Sequence, residues 1–288
     1  MSELSSIREI EGALTTLRHE SDAPDGGPTQ RTSSMTHIAW VPARWVEAAT
    51  GTLVGLAERH PSRSILLFPE PNEERNVLEA DVDLRCYVHR GEHREVCSEV
   101  IEIHLCGTRS SSPASVVQPL LLTDLPVFLR WRGPVGRTEG ERDLIGVVDR
   151  LIVDSSEWPD LEDEYGYVAG LFDKVVVSDI AWARTLPWRE ALATLWPGVK
   201  DISALRVAGP EADGTLLARW LSTRLGREVS LTLEPAGEIE LVEADGVPVA
   251  PTRRDNESAS DLLSEQLDLF GRDGVYEAAV RSLTPASV

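Results

Sequence analysis

The chain has 288 residues, 42% apolar and 26% charged, with a net charge of −20. That length holds one large or two modest folded domains, and no apolar run approaches the ~20 residues of a membrane span. The negative field opposes phosphate backbones, so nucleic-acid binding is not expected.

The predicted elements begin with an amphipathic helix over residues 3–19, where Leu4, Ile7, Ile10, Leu14 and Leu17 recur at helical spacing. Its apolar face calls for docking, on its own domain or on a partner. Residues 20–34 are polar with Gly and Pro and read as a linker. From Met35 an α/β pattern sets in. Residues 37–41 form a short apolar strand, residues 43–59 a helix ended by Pro61, and residues 64–68 a strand apolar throughout, as burial on both faces requires. Residues 77–89 and 95–105 alternate and pair as a long antiparallel hairpin around residues 90–93. Ser111 or Ser112 caps a helix with Pro113 at its first position.

Residues 127–131 are the next strand, residues 144–148 are helical, and residues 151–153 are a buried strand ending in Asp154. Residues 187–196 form a further helix closed by Pro197-Gly198. A second unit begins near Asp201: a strand over 202–207, then a helix capped by Asp213 and stopped by Gly226. Residues 228–234, 238–243 and 247–250 read as a meander, residues 251–258 as a polar loop, and residues 261–270 and 275–283 as helices split at Gly271. The expected class is α/β: a mixed sheet flanked by helices in an N-terminal domain, with a smaller C-terminal α/β unit. The expected division is a helix and linker over 1–34, a main domain over 35–200 and a smaller domain over 201–288.

The most distinctive sequence lies between Pro119 and Arg189, where PLLLTDLPVFLRWRG, DRLIVDS and WARTLPWRE each join buried apolar residues to Arg, Asp or Trp. HPSR (His60–Arg63), RNV (Arg75–Val77) and EVIEIHLCG (Glu99–Gly107) precede them; LLARWLSTRLG and DLLSEQLDLFGRDGVYEAAV follow. In this order and spacing the segments resemble the glucose-6-phosphate dehydrogenase assembly protein family (OpcA), over roughly residues 36–284. One departure is Arg130, where family members often carry an aromatic residue. The resemblance implies a bacterial cytoplasmic protein that binds glucose-6-phosphate dehydrogenase and promotes its active assembly, with no catalytic residues. The sequence agrees in what it lacks: no G-x-G-x-x-G, Walker A, H-E-x-x-H or G-x-S-x-G segment is present, so no cofactor is expected.

Four residue groups carry possible chemistry. Trp182, Arg184, Trp188 and Arg189 surround Pro187, and Trp and Arg dominate interface hot spots; the same types also pack helix starts onto cores. Asp154 and Ser155 end a buried strand, where open α/β sheets place ligands; with Arg132 and Arg150, and with Asp124 nearby, they suggest an anion or sugar-phosphate pocket. The plainer reading is that Asp154 caps or pairs within a loop. This pocket is the basis of the alternative function, an α/β enzyme or sensor for a sugar phosphate.

Cys86, Cys97 and Cys106 are redox candidates. With His89, His93 and His104 they invite a zinc reading, but C-x2-H-x3-H-x3-C followed by H-x-C fits no standard site, so no metal is expected. Strand alternation puts Cys97 on the face opposite His104 and Cys106. A pair between Cys97 and Cys106, or between Cys86 and either, remains open. Three cysteines and no basic-then-apolar leader suit a reducing cytoplasm.

Overall fold

The continuous apolar runs become strands buried on both faces. The computed structural model describes residues 4–21, 33–56, 59–88, 95–252 and 258–283. The expected linker, the hairpin turn with His89 and His93, and the polar loop near 251–258 lie wholly or mostly outside these residues. In chain order the elements are α1 (Ile7–Ser21), β1 (Met35–Trp40), α2 (Val46–Leu56), β2 (Ser62–Glu70), β3 (Leu78–Val88), β4 (Glu95–Cys106) and α3 (Pro113–Val117). Next come β5 (Val127–Trp131), α4 (Glu139–Ile145), β6 (Arg150–Val153), α5 (Leu161–Ala169), β7 (Val176–Asp179), α6 (Ile180–Arg184) and α7 (Leu186–Thr194). The last are β8 (Ala204–Gly209), α8 (Glu211–Leu225), β9 (Ser230–Pro235), β10 (Leu241–Ala244), β11 (Val247–Val249), α9 (Ala259–Leu267) and α10 (Gly274–Arg281).

The fold is α/β, with a seven-stranded mixed sheet in the order β3-β4-β2-β1-β5-β6-β7 and a four-stranded sheet in the order β11-β10-β8-β9. Residues fall into two compact units. One comprises Met1–Arg132, Gly136–Ile152 and Ala259–Asp268; the other comprises Gly133–Val135, Val153–Ser258 and Leu269–Val288.

In the first unit β4, β2, β1, β5 and β6 run parallel to their neighbours, and β3 closes the edge antiparallel to β4. Ile38, Ile65, Leu66, Leu67, Ile101 and Leu129 are its fully buried centre. Trp40 and Trp131 are register partners at the strand ends, and their rings stack at 4.9 Å. Helix α1 docks on this unit. Ile10 and Leu14 are buried, Leu4 bridges to Ala80, and Glu99 accepts from Arg18 (2.5 Å) and Arg63 (2.8 Å). Helix α9 also joins it: Ser264 bonds His60 (2.7 Å), and Ser260 donates to the Thr52 carbonyl of α2 (2.9 Å).

Two expectations need correction. The helix expected at 144–148 is α4, which starts earlier because Thr138 and Glu141 form a reciprocal capping box. The meander expected after residue 228 does not form. The 15-residue α8 is a crossover that brings β9 parallel to β8, and β10 pairs with the other side of β8 before turning into β11. Gly226, at φ 66°, ends α8 in the left-handed conformation that glycine adopts without strain.

Candidate functional site

The second unit is built around a buried ionic network. As the chain leaves β6, Asp154 caps a short 3-10 turn, accepting from the N–H (3.2 Å) and hydroxyl (2.7 Å) of Ser156. Strand β7 ends at Asp179, which caps α6 through the Ala181 N–H (2.9 Å) and also accepts from the Ser155 N–H (3.0 Å). Helix α6 delivers Arg184. Its guanidinium forks to both oxygens of Asp213 (2.9 Å each) and both of Asp154 (3.0 Å each). Asp213 therefore does not cap α8 as its sequence position suggests: it lies in the first turn, fully buried, with Arg184 as its partner.

Burial works against charge on Arg184, Asp213 and Asp179. It opposes the Arg184 charge, but the bonds from Asp213 and Asp154 outweigh it and hold the guanidinium protonated. Burial also raises Asp213, with Arg184 pulling the other way. Asp179 has no such cation in contact. Burial, then the nearby Asp154 carboxylate, push it up to about 7. Tyr165 donates to the Ser155 hydroxyl (2.8 Å), and Tyr276 lies 3.4 Å from Asp179; burial raises both phenols well above their usual range.

The Trp and Arg candidates close the same unit. Trp182 is buried, donates to Asp273 (2.7 Å) and carries Arg189 over its ring at 3.6 Å. Arg189 also donates to the Thr185 hydroxyl (3.0 Å) and the Trp182 carbonyl (3.2 Å), and burial lowers its pKa to about 10. Trp188 is buried too. Asp273 caps α10, whose Tyr276 ring lies 5.7 Å from that of Trp182. The WARTLPWRE and DGVYEAAV segments, about 90 residues apart, thus meet in one core. Sequence reasoning missed Asp179, Asp213 as an ion partner, and Tyr276. A fully buried Asp between apolar residues was the available signal, but alternation in such short elements does not reveal burial.

Arg132 and Arg150 belong to the first unit, Asp154 and Ser155 to the second. Arg132 donates to the Thr52 hydroxyl (3.1 Å) and lies 5.8 Å from the Trp45 ring. Arg150 is buried, and desolvation lowers its pKa. His37, Phe128 and Arg150 share one row of the sheet. Burial, His60, Arg130 and Arg132 push His37 down to about 4, so its imidazole is neutral at pH 7. Asp124 sits at a positive φ of 63°.

Cys86 and Cys97 face each other across β3 and β4 and are joined in a disulfide. Cys106 is a buried thiol; burial, then Glu70, push it up to about 11, far from a reactive thiolate. Among the described residues no group of three or more His, Cys, Asp or Glu could hold a metal ion. No helix among them is long and apolar enough to cross a membrane. All six His and all three Cys precede residue 107, so the second unit has neither residue to pair with the Ser155 hydroxyl.

Two adjoining family domains match the chain. Residues 54–169 match the glucose-6-phosphate dehydrogenase subunit N-terminal domain of OpcA, and residues 175–280 match the corresponding C-terminal domain. The chain belongs to the OpcA family. A Synechocystis protein (strain ATCC 27184 / PCC 6803 / Kazusa) that carries the name OxPP cycle protein OpcA is 25% identical over 239 residues. The match covers 74% of this chain and 49% of that protein, so the chain spans about half the length of the curated relative it matches. No solved structure matches. Within the OpcA family frame, Arg184 and Trp182 lie in the C-terminal domain, whereas the hairpin cysteines lie in the N-terminal one.

Proposed function

We propose that the chain is a non-catalytic assembly factor of the oxidative pentose phosphate pathway. It binds glucose-6-phosphate dehydrogenase and favours its active oligomer, in a bacterial cytoplasm. The observation that carries this reading is the consecutive match of both OpcA domains over residues 54–280. The physics is linkage: a protein that binds the assembled dehydrogenase better than its free subunits shifts the population toward the assembled form. The second unit suits a scaffold, because its buried carboxylates are engaged by Arg184 and by backbone N–H groups. Trp182, Arg184, Trp188 and Arg189 would then act from inside, by shaping the surface that the partner meets.

The test is to mix the purified chain with its cognate dehydrogenase. Co-elution with a rise in activity or oligomer size is expected; neither, at low and at moderate salt, overturns the reading. The alternative function is binding of a sugar phosphate or other anion near Asp154 and Ser155. A thermal shift with glucose 6-phosphate or inorganic phosphate, in the absence of the dehydrogenase, would favour it.

A further inference from the structure

Helix α7 buries Trp188 on one side and ends in Leu195 and Trp196, which are 43% and 63% exposed. Beside this end lies a cavity of 430 Å³, contained in the second unit. Its walls include Ala191 of α7, Leu195 just after it, Ile202 before β8, and Val247, Pro248 and Val249 of β11. Val247 is 65% exposed. Exposed Leu195 and Val247 at one cavity mouth mark an interaction site more than scattered apolar residues do.

The lining chemistry narrows the occupant. No charged side chain lines the groove. Its two hydroxyls are used internally: Thr194 donates to the Ala191 carbonyl (2.7 Å), and Thr252 bonds Glu190 (2.7 Å). Among the described lining residues no side chain is left to orient a sugar or a phosphate, which such sites fix with a few convergent polar groups. Strand addition is also disfavoured. Although β11 ends its sheet, it has three residues and its Pro248 lacks an N–H. What remains is an apolar side chain inserted from a protein surface.

The surrounding charge sets the flanks of that surface. Glu190 is exposed and bonded to the lining Thr252, Asp201 precedes the lining Ile202, and Asp245 heads the β10–β11 turn next to the lining Ala244. Among the described residues, the nearby cations Lys200 and Arg227 are turned onto the chain itself. Lys200 sits 4.1 Å from the Trp196 ring centroid, and Arg227 binds the carbonyls of Lys200 and Ile202. We infer that this groove is the docking site for the dehydrogenase, taking an aliphatic or aromatic anchor of its surface flanked by Arg or Lys. The inference rests on the assembly reading above.

The experiment measures affinity of the full chain for the purified cognate dehydrogenase, with wild type, Leu195→Ser, Val247→Asp and Phe270→Ser. Phe270 is 70% exposed and lies outside the groove, so it serves as the control. Leu195→Ser and Val247→Asp are expected to weaken binding about ten-fold or more, with unchanged melting temperature, while Phe270→Ser binds as wild type. Asp201→Arg should slow association several-fold at low salt and much less at high salt. If wild type binds and both groove variants bind equally well, the groove assignment is overturned and the assembly reading stands. If wild type does not bind, the assembly reading itself fails, and the groove assignment with it. Light scattering of the chain alone covers the other occupant: a dimer that Val247→Asp disperses would make the groove a self-interface and overturn the proposal.

Discussion

At the scale of residues, Asp179 and Arg184 make opposite demands on pH. Asp179 rises from 3.8 to about 7 in the folded chain. Between those values the folded state keeps a proton that the unfolded state has released, so this group's stabilising contribution is lost as pH rises from about 4 to 7. Asp179→Asn copies the protonated form, since its Oδ1 still accepts from Ser155 and Ala181. The variant's melting temperature, relative to wild type, should therefore climb between pH 4 and pH 8; a difference constant with pH would refute the assignment. Arg184→Met removes the cation from two largely buried carboxylates, and a loss of about 3–5 kcal/mol is expected. The loss should be greater at pH 8 than at pH 5, because at low pH Asp213, raised by burial, can escape by protonation. Paired denaturation curves at the two values check this. The residue types were visible in the sequence, but their pairing was not, because Asp154, Arg184 and Asp213 come from three separate elements.

At the scale of elements, the β3–β4 hairpin and α1 carry the clearest consequences. The Cys86–Cys97 bond closes a sequence separation of 11. Chain entropy allows at most about 3 kcal/mol for such a loop, and strands already paired should return less. Reductant should lower the melting temperature of wild type modestly and leave the Cys86→Ser, Cys97→Ser double variant unmoved. Comparing dehydrogenase activation after oxidant and after reductant then tests whether the bond regulates; equal activation would assign it to stability alone. Helix α1 is held by Ile10, Leu14 and the ion pairs at Glu99. Leu14→Ala should cost about 2–5 kcal/mol, a core value, by denaturant unfolding. A loss below 1 kcal/mol would mean that α1 is only loosely docked. The amphipathic spacing of this helix was readable in the sequence, whereas its docking surface on β3 was not.

At the scale of the whole molecule, charge governs encounter. A chain of net charge −20 repels its own kind and any acidic protein. Complex formation with a basic face of the dehydrogenase should accelerate as ionic strength falls, while the dissociation rate, set by the buried apolar anchor, changes little. Surface-binding kinetics from 50 to 500 mM salt check this. A salt-independent association rate would mean that the partner's contact face is not basic.

The sequence by itself determined the α/β class, the antiparallel hairpin, the buried strands and the family, because each is written in local periodicity or in ordered segments. It also located α10 and the Gly226 stop. Only the tertiary structure decided what pairs with what. The parallel placement of β9 depends on a crossover that local pattern cannot distinguish from a meander. The docking of α9 against α2 depends on Ser264 and Ser260, polar residues with no periodic signature. Trp182 and Trp188 read equally well as interface or core until burial is known, since one apolar ring serves either place. Leu195 and Val247, unremarkable in the sequence, gather at one groove because a helix end and a short hairpin meet there. Burial and long-range pairing are properties of chain segments brought together, and no single segment encodes them.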